Sequence, residues 1–210
     1  MICFPDTNVV FKLAGFDLLD EALSVLSAAP QDLFLLQETR QMCSGNKMRE
    51  EYRRQAVTRV EALIYRAGSK SADINPDELV LLSETDGIDG GEAILFAATR
   101  SHTEFIVVSD DKNSLRALAE EPECELIFER IQGHVVCIED LLLRIIAKYS
   151  YERIRPKLLL AQHCVKALSQ TLGTNQHAGQ VQVESALQNA MERLSLETNY
   201  ILASPSDHNP

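Results

Sequence analysis

The stretch TEFIVVSDDKNSLRALAEE, residues 103–121, decides the fold class. FIVVS is a short, continuous apolar run rich in β-branched residues, which reads as a buried strand. It ends on two aspartates that open DDKNSLRALAEE, the clearest helix start in the chain. A strand running straight into a helix is half of a βαβ unit. Downstream, GHVVCI (133–138) gives a last strand leading into the helix EDLLLRIIAKY (139–149). Upstream, ICF (2–4) gives a first strand, followed by helical DTNVVFKLA (6–14) and DLLDEALSVLSAA (17–29), where Leu19, Leu23 and Leu26 recur at helical spacing. After Pro30, DLFLL (32–36) reads as a second strand, and ETRQMC (38–43) and KMREEYRRQAVTRVEALIYRA (47–67) as charged helical stretches. Asn75-Pro76 breaks the chain before the short helix DELVLLSE (77–84), and DGIDGGEAILFAATRSH (86–102) is a glycine-rich turn opening a helix.

Strands separated by helices predict an α/β domain over residues 1–148, with a central, mostly parallel sheet flanked by helices on both faces. Strand signals stop near residue 150. YERIRPKLLLAQHCVKALSQTL (151–172) and QVQVESALQNAMERLSLET (180–198) read as two helices joined by GTNQHAG, with Pro156 interrupting or beginning the first. Residues 149–197 are thus a C-terminal helical extension, and 198–210 a flexible tail. The apolar positions Leu158, Leu159, Val165 and Leu168, and Val183, Leu187, Met191 and Leu194, are expected to pack on the first domain or on each other. A docking face for a homodimer or another protein is the competing use.

No apolar run approaches the roughly 18 residues that span a bilayer, and Asp6 and Lys12 interrupt any signal-peptide core. The expectation is a cytoplasmic protein with no membrane partner. Five scattered cysteines without a CxxC pair argue against a disulfide framework and a zinc site. Residues 1–150 hold 26 acids and 15 bases and residues 151–210 five of each, so the first part carries all of the net charge of −11. Such a balance opposes a general polyanion-binding surface. It suits either solubility or acids that converge on divalent cations.

The map places several acids at one edge. Ligands of open parallel sheets bind beyond the carboxyl ends of the strands. Asp6 follows the first strand, Glu38 follows DLFLL by two residues, Asp110 and Asp111 follow FIVVS, and Glu92 lies in the first turn of the preceding helix. Two charges about 4 Å apart repel by about 4 kcal/mol at an effective dielectric of 20. Such a cluster therefore raises pKa values or recruits cations. Oxygen-only ligands favour Mg²⁺ or Mn²⁺, and two such ions can promote an in-line phosphoryl displacement. Each acid also has a purely local reading. DGGE (89–92) fits a capping box, with Asp89 as N-cap and Glu92 folding back. Asp6 and Asp111 fit N-caps, and Glu38 a first-turn acid favoured by the helix dipole.

DTNVVFKL, QETRQM, GEAILFAAT and FIVVSDDKNSL resemble, in order and spacing, the four acidic motifs of the PIN-domain family. The resemblance spans roughly residues 1–145, with Glu92 where the family more often has Asp. It implies a PIN-like three-layer fold and a Mg²⁺- or Mn²⁺-dependent ribonuclease, with Asp6, Glu38, Glu92 and Asp110 as metal ligands. Asp111 is the alternative to Asp110, and Asn8 and Ser109 are implied to orient the carboxylates. Many family members are toxins of toxin–antitoxin pairs, so an antitoxin is an implied partner beside RNA. The chain is longer than a typical toxin, and the helical segment after residue 150 is outside the motif set.

Lys47, Arg49, Arg53, Arg54 and Arg59, with Tyr52 among them, could grip RNA phosphates and stack a base. A solvated helix with pairs such as Glu50–Arg54 is the plainer reading. Two other classes compete with the nuclease. A haloacid-dehalogenase-like phosphatase also starts with an aspartate after strand one, but it needs an acid where Asn8 stands. A non-catalytic interaction module would dock through the C-terminal helices.

Overall fold

A computed structural model describes residues 1–175 and 177–203, apart from the side chains of residues 46 and 47. Three short strands, β1 (Ile2–Pro5), β2 (Phe105–Ser109) and β3 (Val135–Cys137), form one sheet in the order β1-β2-β3. Both pairings are parallel, with Ile2 opposite Phe105 and Val107 opposite Val135. FIVVS is buried along its whole length, as a strand covered on both faces must be. Its side chains alternate between two cores. Ile106 and Val108 join Cys3 and Val136 on one side, while Phe105 and Val107 join Phe4 and Val135 on the other.

The first core is covered by α1 (Thr7–Phe16), α2 (Leu19–Val25), α3 (Gln37–Ser44) and α4 (Asn46–Ala67). The second holds α5 (Pro76–Glu84), α6 (Gly90–Ala98), α7 (Lys112–Glu120) and α8 (Glu125–Ile131). α9 (Ile138–Tyr149) returns to the first side, where α10 (Tyr151–Leu158) and α11 (Lys166–Thr171) also pack. α12 (Gln180–Glu197) puts Val183 and Leu187 into the first core and Leu194 into the second. The C-terminal helices thus share cores with the sheet. Close packing on α1 needs Gly15, where a Cβ would stand 3.1 Å from Ala161 and 3.3 Å from the Tyr52 ring. Asn75 caps α5 by accepting from the Glu78 amide at 3.0 Å, with Pro76 in the first turn as the break at Asn75-Pro76 predicts.

Several expectations need correction. DLFLL is not a strand: it touches β1 at a single bridge, Cys3 to Leu33, with one Phe34 N–H donated to the Cys3 carbonyl at 2.8 Å. The helix expected over 151–172 is broken. Pro156 sits in the last turn of α10, and a 3-10 turn at Gln162–Cys164 precedes α11. The tail was expected to be loose from residue 198. Instead Ile201 is fully buried, and the Ala203 amide donates to the Val135 carbonyl at 2.7 Å beside β3. Residues 204–210 lie outside the described residues. No helix among the described residues is long and apolar enough to cross a membrane.

Candidate metal centre

The sheet delivers its carboxylates as the strand ends require. Asp6 still pairs its amide with the Val108 carbonyl at 2.8 Å. Its Oδ1 accepts the Asn8 amide at 3.0 Å, which caps α1. Oδ2 is buried and has no hydrogen-bond partner among the described residues. The cap on α1 thus uses one Asp6 oxygen and leaves the other without a partner, and Oε2 of the buried Glu139 also lacks one among the described residues.

From β2 the chain passes through Ser109, Asp110 and Asp111. The buried Ser109 hydroxyl accepts the Asp111 amide at 3.1 Å and fixes this corner. Asp111 Oδ1 accepts the Asn113 and Ser114 amides, both at 2.9 Å, so it caps α7 as its local reading expects. Asp110 turns elsewhere, into an ion pair with Lys12 of α1.

α6 supplies the facing side. Asp89 caps it by accepting the Gly91 amide at 2.7 Å and the Glu92 amide at 3.2 Å. The buried Glu92 side chain reaches back to the Asp89 carboxylate. Oxygens of Asp89, Glu92 and Asp111 lie within 4.8 Å of one another. Glu38, exposed in the first turn of α3, borders the group. Its Oε2 lies 3.4 Å from where a Cβ on Gly91 would sit, so a side chain there would crowd the Glu38 and Asp89 carboxylates.

The electrostatics record the crowding. Burial, then hydrogen bonding with Asp89, then the Asp6 charge push Glu92 up to about 9. The hydrogen bond from Glu92 holds Asp89 below its ordinary value. Burial and the neighbouring carboxylates thus favour the neutral form of Glu92 over its anion. Burial raises Asp6 to about 6, with Asp110 and Asp111 adding to the rise against the Asn8 amide. Burial also raises Asp110, opposed by Lys12. These are acids forced together with less positive charge than they need.

Of the expected residues, Glu92 and Asp111 come together with Asp89, Asp6 lies outside that group and acts on Glu92 through its charge, Glu38 stands at the rim, and Asp110 is held by a lysine. Asn8 orients Asp6 through its backbone, its own side chain being exposed. Asp89 belongs to the cluster, although its sequence context announced only a cap. Lys12 and the buried Glu139, which pairs with Lys112, also border the site. Sequence reading missed them, since a lysine within a helix and an acid in a helix first turn carry no distinctive spacing.

The basic stretch does not form the expected stacking platform. α4 kinks at Arg53 (φ 67°, ψ 156°). Tyr52 is buried against the Phe11 ring, centroids 5.8 Å apart, and is closed to a base. Arg59 pairs with Asp17 at 2.7 Å and donates to the Ala14 carbonyl. Arg49, Arg53 and Arg54 remain exposed, and the Lys47 side chain lies outside the described residues.

Comparison with family models, with curated proteins and with solved structures found no match to this chain.

Proposed function

We propose that this chain is a PIN-like, Mg²⁺- or Mn²⁺-dependent ribonuclease. The observation that carries the reading is the buried Oδ2 of Asp6, which has no hydrogen-bond partner among the described residues and whose carboxylate is close enough to Asp110, Asp111 and Glu92 that the first two raise its pKa and its own charge raises that of Glu92. A buried anionic oxygen without a donor is costly. A divalent cation would satisfy it.

Asp6, Asp89, Glu92 and Asp111 would hold the ion, with Glu38 at the outer rim. Between the two aspartates after β2, the reading favours Asp111, because Lys12 already neutralises Asp110. A bound Mg²⁺ or Mn²⁺ supplies Lewis acidity for water attack on a phosphodiester. The chain's own residues prepare the site. The Asn8 amide fixes one Asp6 oxygen and leaves the other buried without a hydrogen-bond partner among the described residues. Ser109 holds the Asp111 backbone in place. Glu92 would be favoured in its ionised form beside a bound cation, so binding is expected to tighten as pH rises.

The test is Mn²⁺ titration calorimetry beside cleavage of a labelled RNA, on wild type, Asp6→Asn and Asp111→Asn. Wild type should bind Mn²⁺ and cut only with the ion present, and both folded variants should lose cleavage. Cleavage at the wild-type rate in both variants, or no Mn²⁺ binding by the wild type, overturns the reading. The latter result would leave the interaction-module class standing.

A further inference from the structure

Two neighbouring cavities lie on the Asp110–Asp111 side of the molecule and share three lining residues. One, of about 400 Å³, is bordered by Asp110 and Asp111 and by Lys12, Lys112 and Lys166. The other, of about 410 Å³, runs between α7, α11 and α12 and carries Lys112, Arg116, Lys166 and Arg193. Lys112, Glu139 and Lys166 line both, so the two adjoin and together trace a groove from Asp110 and Asp111 to the C-terminal helices. The outer cavity has four cations against the two acids Glu139 and Glu197, in a chain whose net charge is −11.

We propose that this groove is the track for a single-stranded RNA entering or leaving the metal centre, with the C-terminal helices forming one wall. The inference rests on the nuclease reading and extends it to how substrate is held. An acidic chain repels a polyanion everywhere except along a local cationic path. Lys166 is exposed and in no ion pair among the described residues, so its ammonium is available to a phosphate. Arg116 and Arg193 share the single carboxylate of Glu197, at 2.5 Å and 3.3 Å, which leaves that trio with a surplus positive charge. Among the described residues no aromatic side chain lines the groove. Contacts therefore fall on the phosphodiester backbone and carry little base preference. This gives α11 and α12 a task that core packing does not explain: they place Lys166 and Arg193 opposite α7.

The test compares two charge reversals of equal size in the full-length Asp6→Asn protein, so that the probe stays intact. One is Lys166→Glu with Arg193→Glu in the groove. The other is Arg66→Glu with Arg153→Glu, at a separate cavity lined by Asp17, Asp20 and Glu21. Fluorescence anisotropy reads binding of a labelled oligouridylate with Mg²⁺ present, between about 50 and 200 mM salt. The groove pair should bind about tenfold more weakly than the matched pair. Its salt slope should fall by about 1.4, the loss of two single-strand phosphate contacts. Equal weakening in both pairs overturns the track. So does displacement of the probe by polyglutamate at matched charge, which would assign the groove to an acidic peptide. Oligouridylate should bind at least as tightly as oligothymidylate, and binding of the DNA strand alone overturns the assignment to RNA. If an Asp6-dependent, metal-dependent nuclease cuts long RNA at an undiminished rate with the groove pair reversed, the track fails and the nuclease reading survives.

Discussion

Replacing Asp6 with asparagine should make the metal-free protein more stable. Asp6 is 4% exposed and its Oδ2 has no hydrogen-bond partner among the described residues. Burial, with added repulsion from Asp110 and Asp111, raises its pKa from 3.8 to about 6. An acid whose folded pKa exceeds its unfolded value binds its proton more readily when folded. Its contribution to stability is therefore lost as pH climbs from 3.8 through 6, and the loss is complete above that window. The interval corresponds to about 3 kcal/mol. Asparagine keeps an acceptor for the Asn8 amide but buries an NH₂ group, and an unmet donor takes back about 1–2 kcal/mol. The net gain at neutral pH is about 1–2 kcal/mol, worth roughly 2–8 °C in Tm for a chain of this size. Thermal and urea unfolding in chelator should show a small difference near pH 4 that is full-sized by pH 7. Mn²⁺ should reverse the order, because a ligand at a hundredfold over its Kd adds about 2.7 kcal/mol to the wild type alone. Equal stability of the two proteins at pH 8 in chelator, or an equal Mn²⁺ shift in both, refutes the reasoning.

Lys12→Met should destabilise the fold by about 3 kcal/mol or more, because it strands Asp110, 13% exposed, without its counter-charge. The Lys12→Met/Asp110→Asn double variant should recover most of that loss in urea unfolding, and a loss equal to the sum of the two singles would show that the pair does not interact. Ile201→Ala, at a fully buried position beside β3, should cost about 2–5 kcal/mol by chemical denaturation. A loss below about 1 kcal/mol would mean that the segment does not pack on the second core.

The parallel sheet was legible because FIVVS and GHVVCI are unbroken apolar runs, and such runs are what two-sided burial demands. DLFLL has the same appearance, and its side chains do divide between the two cores, Leu33 to one and Phe34 and Leu36 to the other. What it lacks is a ladder, since the chain turns into α3 at Gln37 after a single bridge, and composition carries no record of that turn. Asp6, Glu92 and Asp111 could be placed from their positions after strands and in a first helical turn. Asp89 could not, because a cap that also joins a carboxylate cluster looks like any other cap until the neighbouring carboxylates are in view. The neutralisation of Asp110 depends on a contact between residues 12 and 110, far apart along the chain, and no local pattern encodes it.

The single bridges at the two margins of the sheet have a consequence for recognition. Leu33 sits against the outer side of β1 and Leu202 against the outer side of β3. A strand margin with free amides and carbonyls is a template onto which another polypeptide can add by β-augmentation, and it is equally a seed for edge-to-edge aggregation. Here the chain seats one of its own residues at each margin. A protein partner would then have to be met by side chains on the helices, and removing the segment around Leu202 would turn a guarded border into an adhesive one.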